Sequence, residues 1–432
     1  MKIPKFIREN LLLKMTSLNA VIISLRLIVS VFIQRLLAEL VGEAGIYKIG
    51  QLRSLSQLLT SFTSFGLFNG IVKYVSEHKE DHEQLQKLFS TTFVFTIIGT
   101  ITTGLVLFFN STFLSQQLFG SSEFSYIIKL LAVMVPFIAI QRIFNGVING
   151  LSKYKHFAKV EILSYMLGAA LTVILLLQYN LDGALIAIAV IPVIQVTVML
   201  FILIGILKEY VQFSKLSFKI PLAKNLLAFS LMSFVSTVLL NYVEIDIRSI
   251  LANTLTENDA GIWTAMTFIS KNYMVFSASL FTLYVIPKFA SITNGKDFKI
   301  EVFHIYKTLL PLFGIGMLLV YVFRNIVIEI IYPGFSGMDP LFKWQLLGDF
   351  VRLASLVLAH QFLAKKMVKW FIITEFVSLC LFYFMSKIFV EIYGVEGVVM
   401  SHFFRYIIYF IMVAIVLYRH FKIHDSKQHS NH

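Results

Sequence analysis

Apolar runs of roughly twenty residues recur along nearly the whole chain, each long enough to cross the hydrocarbon core of a bilayer. Hydrophobic residues make up 57% of the sequence and charged residues only 14%, where a soluble protein carries about 25% charged. This leaves no room for a large soluble domain. In hydrocarbon no water meets the backbone amides and carbonyls, so such runs must close their hydrogen bonds internally, as helices. The sequence therefore specifies an all-α polytopic membrane protein. Twelve spans are expected, at 16–41, 46–72, 86–109, 126–150, 157–178, 182–207, 225–251, 260–287, 303–327, 341–364, 370–390 and 396–418. A short basic amphipathic lead precedes them. A polar, disordered tail from Arg419 is expected to follow, carrying His420, His424, His429 and His432 as a solvated segment, with metal binding as the other reading.

The chain also repeats itself. Gly42 to Val75 returns in altered form at Asn258 to Ser291, an offset of 216 that sets Ala44-Gly45-Ile46-Tyr47 against Ala260-Gly261-Ile262-Trp263 and Phe65 against Phe281. Tyr179-Asn-Leu-Asp-Gly-Ala is echoed by Tyr393-Gly-Val-Glu-Gly-Val at an offset of 214, which brings Glu161 onto Glu375. Two echoes at nearly one offset point to a duplicated half. The expected division is an N-lobe of six helices over 1–215, a C-lobe of six over 216–418, and a cytoplasmic tail over 419–432. Repeats of this kind enclose the substrate path in many transporters.

Charge orients the spans. With the N-terminus cytoplasmic, the segments on that side hold 24 of the 37 Lys and Arg, and the six opposite loops hold none. That is the positive-inside pattern, and it puts both termini in the cytoplasm. It also accounts for the net charge of +13 through lysines facing anionic lipid rather than nucleic acid.

Thirteen cations remain inside the spans or at their edges, where each costs about 2.5–3.5 kcal/mol at a helix centre on insertion scales. Lys48, Lys129, Arg324, Lys343 and Lys387 lie near span ends and can snorkel. Arg35 has Glu39 one turn on, Arg248 has Glu244 one turn back, and Arg352 has Asp349 three residues back, so pairing and ligand binding both remain open for these three. Arg26, Arg53, Arg142, Lys271 and Arg405 are deeper and have no acid three or four residues away. They are expected to face a shared central cavity. The spans hold fewer acids, so such a cavity would attract phosphate or carboxylate and repel organic cations. Arginine forks suit phosphate oxygens in particular. Glu161, Asp349 and Glu375 are the candidates for ion coupling. Tyr47, Trp263 and Tyr273 are candidate platforms for sugars, and Gly66, Gly70, Gly146, Gly150, Pro136, Pro192 and Pro311 are candidate bending or close-packing points.

No GxxxxGK[ST] loop is present, nor HExxH, GxSxG or a cysteine–histidine cluster, so ATP hydrolysis and the common hydrolase chemistries have no sequence support. The single cysteine, Cys380, excludes an intrachain disulfide and a cysteine-built metal site. No cofactor is expected. An anion transporter of two fused halves is the reading these observations favour. A multidrug cation antiporter of the same fold is the alternative, and a membrane enzyme joining glycans is a third.

Gly66–Val75 (GLFNGIVKYV), the GIW of Gly261–Trp263 with the serine-rich stretch to Pro287, and WQLLGD at Trp344–Asp349 resemble the Wzx-type lipid-linked oligosaccharide flippases. The likeness is to the O-antigen translocase and lipid III flippase group of the multidrug/oligosaccharidyl-lipid/polysaccharide exporter superfamily. It extends over nearly the whole chain. It implies two six-helix lobes in a V around a central cavity, as in MATE transporters. It also implies an undecaprenyl-diphosphate-linked oligosaccharide as substrate, moved from the cytoplasmic to the periplasmic leaflet of a bacterial inner membrane. Arg26, Arg35, Arg53, Lys73, Arg248, Arg352, Asp349 and Glu375 match the family pattern, whereas Lys271 stands where relatives carry an acid. A monomer suffices, because the duplicated halves supply both walls; a glycan polymerase and a chain-length regulator are possible partners.

Overall fold

The computed structural model describes residues 11–211, 215–292 and 294–429. Among the described residues fifteen α-helices follow one another and there is no strand. They are α1 (Leu11–Ser64), α2 (Phe68–His78), α3 (His82–Phe109), α4 (Ser111–Phe119), α5 (Ser125–Gly150), α6 (Tyr154–Tyr210), α7 (Ala223–Phe234), α8 (Leu240–Thr254), α9 (Glu257–Leu280), α10 (Ile286–Ser291), α11 (Gly295–Val322), α12 (Arg324–Ile331), α13 (Leu341–Ala364), α14 (Val368–Tyr393) and α15 (Val395–His429). Two of them, α1 and α6, bend at single non-helical residues, Gly42 and Asn180.

The duplication is written into these bounds. Helices α3 and α11 have equal length, and one offset, close to that of the motif echoes, relates their starts, their ends and their N-caps. Asp81 accepts from the Glu83 and Gln84 amides at 3.1 and 3.0 Å, and Asn294 accepts from the Asp297 amide at 2.8 Å. Each cap satisfies donors that the first helical turn leaves open. Short 3₁₀ turns recur at Ser122–Phe124 and Ser336–Met338, in the register that sets Tyr179 against Tyr393. In that same register α5 ends as α13 does and α6 begins as α14 does. Between them Ser152 and Lys366 both take positive φ, 55° and 54°. Asn180 (φ 49°, ψ −128°) and Gly394 (φ 59°, ψ −140°) adopt one uncommon conformation at equivalent positions. A Cβ placed on Gly183 would sit 1.9 Å from the Leu175 carbonyl oxygen, and one on the equivalent Gly397 2.2 Å from that of Phe389. The Gly of each echoed motif is thus required by backbone approaching backbone.

The halves also differ. The expected span 46–72 is broken: Phe65 and Gly66 both take positive φ, 48° and 66°, and end α1, so that α2 starts a new direction. At the equivalent Phe281 the helix continues through a π-helical segment, Phe281–Val285. The tail also departs from expectation. Helix α15 runs past Arg419 to His429, held by Phe421, which is buried and stacks on Phe298 with centroids 4.8 Å apart. His432 lies outside the described residues. Among those described, no three His, Cys, Asp or Glu side chains cluster as metal ligands would.

Seven helices among the described residues are long and apolar enough to cross a membrane, including α3, α11, α13 and α14. Helices α1, α8 and α9 are not among the seven; they carry Arg26, Arg35, Arg53, Arg248 and Lys271.

The chain forms two compact units. One comprises residues to Val41 with Lys48–Tyr242; the other comprises Gly42–Tyr47 with Val243 onward. The core of the first joins Leu67, Ile71 and Val75 in and beside α2 to Leu88 and Phe89 of α3, Val147 and Ile148 of α5, and Leu203 of α6. Gly146 and Gly150 are close-packing points: a Cβ on the first would meet Ile71 at 3.1 Å, and one on the second Val75 at 2.7 Å. Pro136, Pro192 and Pro311 lie inside α5, α6 and α11. In the second unit α15 packs along both α13 and α14, and α11 packs on α13.

Candidate functional site

In the first unit, α1 and α6 bring together a cation and an acid far apart in the chain. Arg26 Nη1 donates to Glu161 Oε2 at 3.0 Å, and its guanidinium carbon is 5.0 Å from the Tyr165 ring centroid. The Tyr165 hydroxyl donates to the Arg26 carbonyl oxygen at 3.1 Å. Glu161 and Tyr165 are one turn apart on α6 and so share a face. Arg53 is half-buried, and its charge also reaches Tyr165. Arg26 therefore has the acid that its sequence neighbours do not supply. Its side chain remains 44% exposed. Arg35 pairs with Glu39 at 2.9 Å on the exposed face of α1. Arg142 lies over the Phe68 ring at 4.0 Å and has no ion-pair partner among the described residues. Lys48, expected to snorkel, is instead buried, with its ammonium 5.9 Å from the Phe124 ring. Arg324, in the second unit, pairs with Asp339 at 2.6 Å.

The second unit holds a larger polar cluster. Arg248 is fully buried. Its Nη2 lies 3.3 Å from Glu244 Oε2, its Nε donates to Thr264 Oγ1 at 3.1 Å, and its guanidinium carbon is 5.3 Å from the Trp263 ring. Glu244 Oε2 also accepts from Lys271 Nζ at 2.8 Å. One buried carboxylate thus serves two cations, and Lys271 keeps half its side chain exposed.

Asp349 of α13 is the second hub. Its Oδ2 accepts from Ser270 at 2.5 Å, from Gln345 Nε2 at 3.0 Å and from the Tyr273 hydroxyl. Its Oδ1 is 3.1 Å from His402 Nε2 and 3.7 Å from Arg352 Nη1. Because a carboxylate oxygen can only accept, the proton of the His402 ring is assigned to Nε2, donating to Asp349 Oδ1. The glycine of WQLLGD has its reason here: a Cβ on Gly348 would sit 2.5 Å from His402 Cδ2. Beyond His402 on α15, Arg405 is buried with its guanidinium carbon 4.3 Å from the Phe382 ring and 4.4 Å from that of Tyr406. Glu375 accepts from the Tyr409 hydroxyl at 2.7 Å.

The arrangement joins Arg248 and Lys271 around Glu244, and Arg352, His402 and Arg405 around Asp349 and Tyr406. Four fixed cations thus face two carboxylates, with Glu375 a third that reaches the cluster through Tyr409, which packs edge-on to Tyr406 at 6.0 Å. An excess of positive charge in a low-dielectric setting favours oxyanions. Tyr47 and Trp263 are buried to 2% exposure, and Trp263 lies under Arg248. They therefore do not present a sugar platform in this conformation. Tyr273 is occupied by Asp349.

Sequence reading missed His402, Tyr406 and the double role of Glu244. The spacing His402–Arg405–Tyr406 on one helical face was available as a signal, as was Gln345–Asp349 at one turn.

The polysaccharide biosynthesis protein family is matched over residues 12–293. The lipid III flippase of Escherichia coli (strain K12) is 27% identical over 383 residues, covering 87% of this chain and 91% of that protein. In fold the chain is similar to a multidrug resistance MATE family transporter of the MOP superfamily in an inward-facing conformation (TM-score 0.77, 14% identity, 90% of this chain and 94% of that one). It is similar as well to the lipid II flippase MurJ in an inward closed conformation (TM-score 0.70, 16% identity, 92% and 87%).

Proposed function

The chain belongs to the polysaccharide biosynthesis protein family, and from that premise we propose that it flips an undecaprenyl-diphosphate-linked oligosaccharide, such as an O-antigen or common-antigen repeat unit, between the leaflets of a bacterial inner membrane. It is a transporter, not an enzyme, and a multi-pass membrane protein. The direction is from cytoplasm to periplasm, with twelve crossings and both termini cytoplasmic. The prenyl tail stays in lipid while the sugar and diphosphate cross by alternating access. Arg26, Arg35, Arg53, Arg142, Arg248, Lys271, Arg352 and Arg405 are the cations assigned to the head group, with Glu161, Asp349 and Glu375 available to couple an ion. The protein acts as a monomer beside a glycan polymerase and a chain-length regulator.

The observation that carries this reading is the surplus of cations over carboxylates in the cluster of the second unit, where Arg248, Lys271, Arg352 and Arg405 meet Glu244, Asp349 and Glu375. Charges there are expensive and persist where they serve a pathway. The multidrug alternative draws on the MATE-like fold. Its organic cations would meet like charge, and like-charge juxtaposition costs several kcal/mol.

The test is translocation of a fluorescent lipid-linked oligosaccharide in proteoliposomes, read as accessibility to an added glycosidase. Arg26→Gln and Arg53→Gln are expected to abolish it while membrane levels stay normal. Full transport by both variants would refute the binding role of the cations.

A further inference from the structure

The spans α3 and α11 do not hand straight over to a loop. Each is followed, after one residue, by a short helix: α4 after Asn110 and α12 after Phe323. The two joints share a conformation, φ −102°, ψ 18° at Asn110 and φ −96°, ψ 17° at Phe323, in the sparsely populated region between helix and strand. In the register that aligns these joints, Thr112, Phe113, Ser115, Gln116 and Phe119 fall on Asn325, Ile326, Ile328, Glu329 and Tyr332, in and just beyond α12. Their surroundings match as well as their positions. Ser115 and Phe119 are buried, as are Ile328 and Tyr332, whereas the other three of each set are exposed.

The exposed face is itself divided. Asn325 and Glu329 are one turn apart and so share one edge, while Ile326 and Ile330 share the other. Those isoleucines are 56% and 50% exposed. They extend a row that begins on the span: Leu312, Ile315, Leu319 and Val322 are all exposed at helical spacing, and Ile326 and Ile330 keep that spacing beyond the joint. The first unit does the same with Ile98, Ile101, Leu105, Phe109 and Phe113, and there Thr112 with Gln116 forms the polar edge. An exposed apolar row on a span faces acyl chains. A row that runs on past the span end, along a helix whose other edge is polar, is the pattern of a helix lying in the plane of the bilayer surface. At the start of α12, Arg324 lies over the exposed Tyr321 ring at 4.7 Å, donates to the Tyr321 carbonyl oxygen at 3.1 Å and meets Asp339 at 2.6 Å. A tyrosine beside a paired arginine marks the level where headgroups meet hydrocarbon.

We infer that α4 and α12 are interfacial helices, with Phe113, Ile326 and Ile330 turned into the acyl boundary and Thr112, Gln116, Asn325 and Glu329 toward headgroups and water. The partner is the lipid itself. The apolar row is not interrupted at the joint, as it would be if a separate protein-binding patch began there. It also recurs in both units, although α4 and α12 share no identical residue at aligned positions. A second copy of the chain, or another protein, would have to recognise two unlike sequences in the same way. A bilayer requires only the division into an apolar and a polar edge. Helix α4 carries no charge and α12 carries one Arg and one Glu, so zwitterionic lipid suffices. The assignment does not depend on which head group the protein carries.

The experiment uses the full-length protein in phosphatidylcholine vesicles, with the single native cysteine removed as Cys380→Ser, or as Cys380→Ala should the first background fold poorly. Nitroxide labels are placed at single introduced cysteines. Power saturation with oxygen and with a water-soluble nickel chelate reads the depth of each label. The exposed sites Leu319→Cys on α11 and Lys79→Cys after α2 supply the lipid and water references. Phe113→Cys, Ile326→Cys and Ile330→Cys are expected to report oxygen-rich sites about 5–10 Å into the boundary. Thr112→Cys, Asn325→Cys and Glu329→Cys are expected to be open to the chelate. All six positions are exposed, so the labels displace no packed side chain. Chelate access at all six equal to that of Lys79→Cys overturns the inference, because both helices would then stand in water. Shielding of Phe113→Cys, Ile326→Cys and Ile330→Cys from both probes overturns it as well, because protein would then cover them, and relief of that shielding on dilution with lipid would identify the cover as a second copy of the chain.

Discussion

Replacing Glu244 by Gln isolates the energetics of the buried cluster. Glu244 and Arg248 are 9% and 1% exposed at the side chain, so solvent screens their pairing little. Removing one partner of a buried pair costs about 3–5 kcal/mol, because the other charge stays behind uncompensated. The Gln amide oxygen can still accept one hydrogen bond, and Arg248 keeps Thr264 at 3.1 Å and the Trp263 face at 5.3 Å. The expected loss therefore sits at the lower end, about 3 kcal/mol. The control is Glu39→Gln. It breaks a pair of the same i,i+4 spacing whose partners are 43% and 41% exposed, where about 0.3–0.5 kcal/mol is expected. Reversible unfolding in mixed detergent–SDS micelles measures both. Adding Arg248→Met to Glu244→Gln should recover most of the loss, since it removes the buried guanidinium that Glu244→Gln leaves without its carboxylate. A Glu244→Gln protein within about 1 kcal/mol of wild type, or a double variant no better than the single one, would show that the cluster is not held by this carboxylate.

Three further outcomes are expected. Asn180 sits at φ 49°, ψ −128°, where a non-glycine residue is strained by about 1–3 kcal/mol; Asn180→Gly should raise unfolding stability and Gly394→Asn should lower it by a similar amount, and a change of the same sign in both would contradict the shared conformation. Exchanging partners as Arg26→Glu with Glu161→Arg should restore the stability lost in either single variant but not flipping, whereas restored flipping would reduce the pair to a structural tie. At the Gly42 corner, burial and then the charge of Asp259 raise the Glu43 pKa above its ordinary value; the folded state therefore disfavours the anion, so Glu43→Gln should be more stable than wild type at neutral pH, with the gap closing as the pH falls through the carboxylate range and the Glu43 carboxylate is protonated in both the folded and unfolded states.

The fold class, the duplication and the identity of the cations were legible in the sequence because each rests on a local or periodic quantity. Apolar length decides whether a segment can cross a bilayer. The repeat survives in Gly183 and Gly397 because the backbone approaches too closely there to admit a Cβ. The pairs Arg35–Glu39, Arg248–Glu244 and Arg352–Asp349 follow from helical spacing alone. What the sequence could not show is how helices far apart in the chain meet. Arg26 finds Glu161 on a distant helix, Lys271 shares Glu244 with Arg248, and His402 reaches Asp349 only because Gly348 leaves room for its ring. Composition told how many charges the helices carry. Which of those charges are already neutralised depends on distances of a few ångströms between packed helices, and only tertiary structure sets those.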